Sequence, residues 1–171
     1  MIFSRKVHAM SFKTPKEYTP EYVADRLQLM DLCTRYAVGV DRKDWDLWES
    51  CFTEDATIDY TATGGPKHKR PEMRAFLEGA MAAFSGTQHF TLNQEIQIDG
   101  DTANGRVGFY NPMPLNLETG KLFYLVGGWY IDEYVRTEDG WKFTYRAEEM
   151  SFDTSKFPLL KAYEAGYVAP E

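Results

Sequence analysis

The sequence predicts an α+β domain in which several helices pack on one face of a curved antiparallel sheet. Three observations carry that reading. Apolar residues recur at helical spacing in three segments before residue 86. From Gln88 onward the pattern changes to period two, in four consecutive segments joined by short turns. One early alternating segment, residues 56–62, lies among the helices. At 171 residues the chain has room for one domain with a real core and too little for two.

Thr19-Pro20 opens the first helix, the threonine as cap and the proline in the first turn. Val23, Leu27, Met30 and Ala37 follow at helical spacing with Cys33, Tyr36 and Val40 beside them, so the helix is expected to reach about Val40. A short second helix is expected from Asp44 to about Cys51, offering Trp45, Leu47 and Trp48. Thr53-Glu54-Asp55 is read as a turn and ATIDYTA, residues 56–62, as a strand. Gly64-Gly65-Pro66 begins a loop that carries Lys67, His68 and Lys69. Pro71 starts a third helix with Met73, Phe76, Leu77, Ala80, Met81 and Phe84 on its buried side, ended by Gly86.

Strands are expected at about 88–98, 102–113, 121–136 and 140–152. Asp99-Gly100-Asp101, Asn116 to Gly120, and Glu138-Asp139-Gly140 supply the turn chemistry. Gly127-Gly128 inside the long third strand marks a bend or bulge, the device by which a sheet curls. A sheet curled around the first helix makes a cone whose open end is a natural pocket. Residues 1–18 read as a basic N-terminal extension, 19–152 as the domain, and 153–171 as a tail with one helical turn near Leu159 to Glu164.

Hydrophobic residues make up 43% and charged residues 26%, an ordinary globular balance, with aromatics high at 15%. The net charge of −7 and the absence of a basic run argue against a nucleic-acid partner, which needs a concentrated positive face. No apolar stretch approaches the roughly 20 residues of a membrane span, and the N-terminus lacks the apolar core of a signal peptide. The expectation is a cytoplasmic protein. Cys33 and Cys51 show no metal-ligand spacing and read as buried thiols in a reducing compartment.

Five residues stand out as candidates for chemistry. His89 sits at a strand start; by strict alternation it shares a face with Thr91, Asn93, Glu95 and Gln97, opposite Phe90, Leu92, Ile96 and Ile98. Position alone makes it a strand-edge histidine on a solvated face. Asp41 ends the first helix, where the dipole disfavours a carboxylate and invites a compensating partner; its other reading is a loop aspartate in the charge run Asp41-Arg42-Lys43-Asp44. Tyr36 and Tyr60 are suited either to donate to a developing oxyanion or to fill the core. Arg146 alternates with Lys142 and Thr144 against Trp141, Phe143 and Tyr145, which reads as a solvent-facing arginine; pointing it inward requires a bulge, or a place where the sheet's concave face becomes the pocket. There is no G-x-S-x-G, P-loop, G-x-G-x-x-G or H-E-x-x-H motif. An enzyme built from these parts works by acid–base chemistry, without metal or cofactor.

The stretch Tyr36-Ala37-Val38-Gly39-Val40-Asp41-Arg42-Lys43-Asp44-Trp45-Asp46, Ile58-Asp59-Tyr60 and Thr87-Gln88-His89-Phe90 resembles scytalone dehydratase. Gly127 to Tyr134 and Asp139-Gly140-Trp141-Lys142-Phe143 resemble the final hairpin of SnoaL-like proteins, including lindane dehydrochlorinase and bile-acid 7α-dehydratase. The resemblance spans about residues 20–152. It implies the NTF2-like cone, Asp41 and His89 as a catalytic dyad, and support from Tyr36, Tyr60 and Arg146. Phe109 and Asn111 fall where substrate-binding residues are expected. The chain departs from scytalone dehydratase in three places: Gly108 to Met113 holds no second histidine, Gly128 and Tyr130 replace a serine and an asparagine, and Val40 replaces a tyrosine.

The resemblance thus implies a dehydratase-type lyase, free of cofactor, for a small hydrophobic hydroxy-carbonyl, polyketide or steroid-like substrate. An isomerase or cyclase, a non-catalytic ligand-binding module and a ring-dioxygenase small subunit share the fold. A homotrimer is expected by analogy, with dimers common in the wider fold.

Overall fold

The computed structural model describes residue 13, residues 15–117 and residues 120–154, with the side chains of 115–122 outside the description. The helical turn expected near Leu159 and most of the N-terminal extension fall outside the described residues. The elements are α1 (Pro20–Arg42), α2 (Trp45–Ser50), β1 (Phe52–Asp59), a 3₁₀ turn (Thr61–Thr63), β2 (Lys67–Lys69), α3 (Arg70–Ala80), a second 3₁₀ turn (Met81–Ala83), β3 (Phe90–Asp99), β4 (Thr102–Leu117), β5 (Gly120–Thr137) and β6 (Gly140–Asp153). Six strands form one curved, open sheet in the order β2-β1-β6-β5-β4-β3. All neighbours are antiparallel except β1 and β6. This is the α+β, NTF2-like cone. No helix among the described residues is long and apolar enough to cross a membrane.

Helix α1 is capped by Thr19, whose hydroxyl oxygen accepts from the Tyr22 amide at 3.2 Å. Its buried stripe is Asp25, Leu29, Leu32, Cys33, Tyr36, Ala37 and Val40, whereas Val23, Leu27 and Met30 are exposed. The expected stripe was rotated because it passed over Asp25. That carboxylate is tolerated inside because Arg136 clamps it at 2.6 and 2.7 Å and the Trp141 indole donates at 3.1 Å. Gly39 permits α2 to cross closely: a Cβ there would lie 2.8 Å from the Trp48 amide nitrogen.

Three local expectations are corrected. Thr53-Glu54-Asp55 is strand, not turn, because β1 runs in parallel beside β6 from Phe52. Tyr60 lies just past β1, at the start of the first 3₁₀ turn, and the lysine-bearing loop contains β2 paired to β1. The third helix stops at Ala80 and tightens into a 3₁₀ turn well before Gly86.

Two bulges overturn the strict alternation. In β3 the register slips between Leu92 and Gln94, leaving Asn93 unpaired at a left-handed φ of 39°. Before the slip the odd residues face inward and Phe90 and Leu92 are exposed; after it Ile96 is buried. In β6 the register slips around Thr144, whose hydroxyl donates to the Glu133 carbonyl at 3.2 Å. Trp141, Phe143 and Arg146 therefore all point into the cone. Near the Gly127-Gly128 step β5 and β6 shift register again, and Gly128 has no room for a side chain, since a Cβ would sit 2.2 Å from the Glu149 carbonyl oxygen.

The core is rich in rings: Tyr36, Trp48, Phe52, Phe109, Tyr130, Tyr134, Trp141 and Phe143 are all buried. On the outside, Phe90, Leu92, Tyr110, Phe123 and Phe152 are exposed, with Tyr110 bridging to Phe90 and to Phe152 at 6.3 Å between ring centroids in each case.

Candidate active site

The C-terminal end of α1 and the segment leading into β3 are brought together by backbone pairing. The amides of Ser85 and Gln88 donate to the carbonyls of Pro114 and Pro112 at 3.1 and 3.2 Å, pinning this segment along β4. His89 is thereby held against the last turn of α1. Its ring Nδ1 lies 2.6 Å from Asp41 Oδ1, its backbone N–H donates to Asp41 Oδ2 at 2.9 Å, and the Thr87 hydroxyl donates to Oδ1 at 2.9 Å. These donors supply what the helix dipole denies Asp41 at that end. The His89 and Asp41 side chains are 8% and 23% exposed, enough for contact with a ligand and too little for free solvation.

Burial pushes the Asp41 carboxyl up, but the hydrogen bonds from His89 and Thr87 outweigh it and hold it below the ordinary carboxylate value. An ionised Asp41 accepts from Nδ1–H, which fixes the tautomer and leaves the Nε2 lone pair as the basic site of the neutral ring.

His89 lines a cavity of about 240 Å³ walled by Tyr36, Tyr60, Asn111, Tyr124 and Glu148 and closed by the apolar residues of α3. The Tyr36 and Tyr60 hydroxyls are 2.6 Å apart. Burial pushes Tyr36 up to about 12 and raises Tyr60 as well, so both keep their protons and can act as hydrogen-bond donors. The Asn111 amide donates to Tyr130 at 3.4 Å, and its Oδ1 is buried without a partner among the described residues.

Phe109 and Arg146, expected at the pocket, are not among the residues that line it. Phe109 stacks behind the wall on Tyr130, with centroids 4.5 Å apart. Arg146 is fully buried, its Nε and Nη2 each 2.8 Å from Asp132, and its guanidinium lies 4.0–4.1 Å from the ring centroids of Tyr36, Tyr130 and Phe143. It is paired with Asp132 and lies behind the cavity wall, and its Nη1 has no hydrogen-bond partner among the described residues.

Sequence reasoning missed Glu148. It follows Arg146 by two positions in β6, faces the cavity and accepts a hydrogen bond from the Thr63 hydroxyl. The signal available was its parity with Arg146, legible only once the Thr144 bulge is known.

Residues 21–147 match the model of the SnoaL-like domain. The chain belongs to the SnoaL-like family. It is 35% identical over 130 residues to the uncharacterized protein Rv2910c of Mycobacterium tuberculosis, covering 76% of this chain and 88% of that one. The structure of the Kfla4162 protein from Kribbella flavida superposes with a TM-score of 0.71 at 30% identity, over 77% of this chain and 93% of that one. The hexachlorocyclohexane dehydrochlorinase LinA-type3 from Novosphingobium barchaimii superposes with a TM-score of 0.66 at 24% identity, over 77% and 90% of the two chains, a likeness of fold.

Proposed function

We propose that this SnoaL-like protein is a lyase of dehydratase type that needs no cofactor and eliminates water from a small hydrophobic hydroxy-carbonyl compound. The observation that carries the reading is the 2.6 Å contact between Asp41 and His89 Nδ1, with the ring lining a cavity. In this reading His89 Nε2 takes the proton from the carbon beside the carbonyl. Asp41 keeps the tautomer and stabilises the imidazolium that forms. Tyr60, tied to Tyr36, donates to the carbonyl oxygen as it gains charge. The elimination activity of the dehydrochlorinase fold relative agrees with such chemistry. A cavity of about 240 Å³ suits one or two rings better than a four-ring steroid.

A bicyclic aromatic β-hydroxyketone, β-hydroxytetralone, tests this directly, because loss of water gives a fluorescent naphthol. His89→Ala is expected to lower kcat by about a hundredfold or more, the usual contribution of a positioned base, and Asp41→Asn to cost activity heavily through the wrong tautomer. Wild-type kcat in His89→Ala would refute the histidine-base mechanism.

A further inference from the structure

Elimination of water needs two proton movements, one from carbon to a base and one onto the departing oxygen, since hydroxide leaves poorly. The dyad supplies the first. Tyr36 and Tyr60, tied to each other, are already assigned to the carbonyl oxygen. Glu148 lines the same cavity as Tyr60, Asn111 and His89. Thr63 donates to its Oε2, which leaves Oε1 to carry a proton. We propose that Glu148 is the general acid of this site, a catalytic residue that protonates the leaving hydroxyl. This rests on the reading of the site as an elimination centre.

The surroundings of Glu148 suit the role. Arg146 lies on its own strand, Asp59 (paired with Lys67 at 3.0 Å) on β1, Tyr36 on α1, Tyr60 and Thr63 around the first 3₁₀ turn, and Tyr124 and Tyr130 on β5. Burial is the largest influence and, helped by Asp59, outweighs the Thr63 hydrogen bond and the Arg146 charge, so the carboxyl is pushed up to about 7. An acid poised near neutrality is the efficient donor at neutral pH.

The step balances. His89 Nε2 takes the α-proton, and the C–H electron pair becomes the new C=C bond. The C–O bond breaks with its pair on oxygen, and the Glu148 proton makes that oxygen water. The site resets when the imidazolium releases its proton to solvent and the Glu148 carboxylate takes one up.

Comparison of two leaving groups tests the assignment, because chloride departs without a proton. With β-hydroxytetralone, Glu148→Gln is expected to lose about a hundredfold or more in kcat. With β-chlorotetralone, after subtraction of the uncatalysed rate, the loss is expected to stay below about tenfold, while His89→Ala loses both activities. In the wild type, kcat for the hydroxy compound should fall as pH rises through about 7, and the chloro compound should lack that limb. Carboxyl ¹³C NMR of glutamate-labelled protein should show one resonance titrating near 7 that Glu148→Gln removes. Equal losses on the two compounds, or wild-type turnover of the hydroxy compound by Glu148→Gln, would overturn the general-acid role and leave the dyad standing. Turnover of neither compound by the wild type would overturn the elimination reading itself.

Discussion

Asp132→Asn is expected to be among the most damaging single changes away from the cavity. Asp132 and Arg146 are both fully buried, joined by two hydrogen bonds of 2.8 Å, and Tyr134 donates a third to Asp132 Oδ2 at 2.8 Å. Asparagine keeps the volume and removes the charge, leaving a guanidinium stranded among aromatic rings; breaking one partner of such a pair costs about 3–5 kcal/mol. For a chain of this size that corresponds to a fall of about 10 °C in Tm. The double variant Asp132→Leu with Arg146→Met should lose less than Asp132→Asn alone, because no charge is left uncompensated. Equilibrium unfolding in urea reads both. An Asp132→Asn protein within about 1 kcal/mol of the wild type, the scale of an ordinary exposed ion pair, would refute the claim that Arg146 depends on this partner.

The remaining predictions concern pH and assembly. Because the folded-state pKa of Glu148 is raised from 4.5 to about 7, stability is fully present below 4.5 and is lost as pH rises through about 7. Glu148→Gln should remove that loss, worth up to about 3 kcal/mol, and a wild type that melts no lower at pH 8 than at pH 5, relative to the variant, would contradict it. The exposed Phe90, Leu92, Tyr110 and Phe152 on the outer face of the sheet should be covered in a homotrimer. Light scattering at micromolar concentration is expected to return about three times the chain mass, falling toward 19.7 kDa in a Leu92→Glu, Phe152→Glu variant; 19.7 kDa for the wild type would contradict the assembly.

The sequence by itself determined the three helices, one early strand, the four-strand meander and the curl at Gly127-Gly128, missing only the short β2, and its motifs carried the resemblance that named the candidate dyad. Those features rest on local signals: period, turn residues, caps and short motifs. Tertiary structure decided which faces point inward. A single unpaired residue at Asn93 reverses the parity of β3 and aims His89 inward, and another at Thr144 sends Arg146 and Glu148 inside. A bulge is fixed by hydrogen bonding to a neighbouring strand, so no periodicity within one strand reveals it. Asp25 entered the buried stripe of α1 because Arg136, 111 positions away, arrives to neutralise it. Arg146 was diverted from the cavity by Asp132, and Glu148 holds its proton to higher pH because of burial that its own sequence neighbours do not provide. Charge burial is paid for by partners distant in the chain, and only the folded arrangement names them.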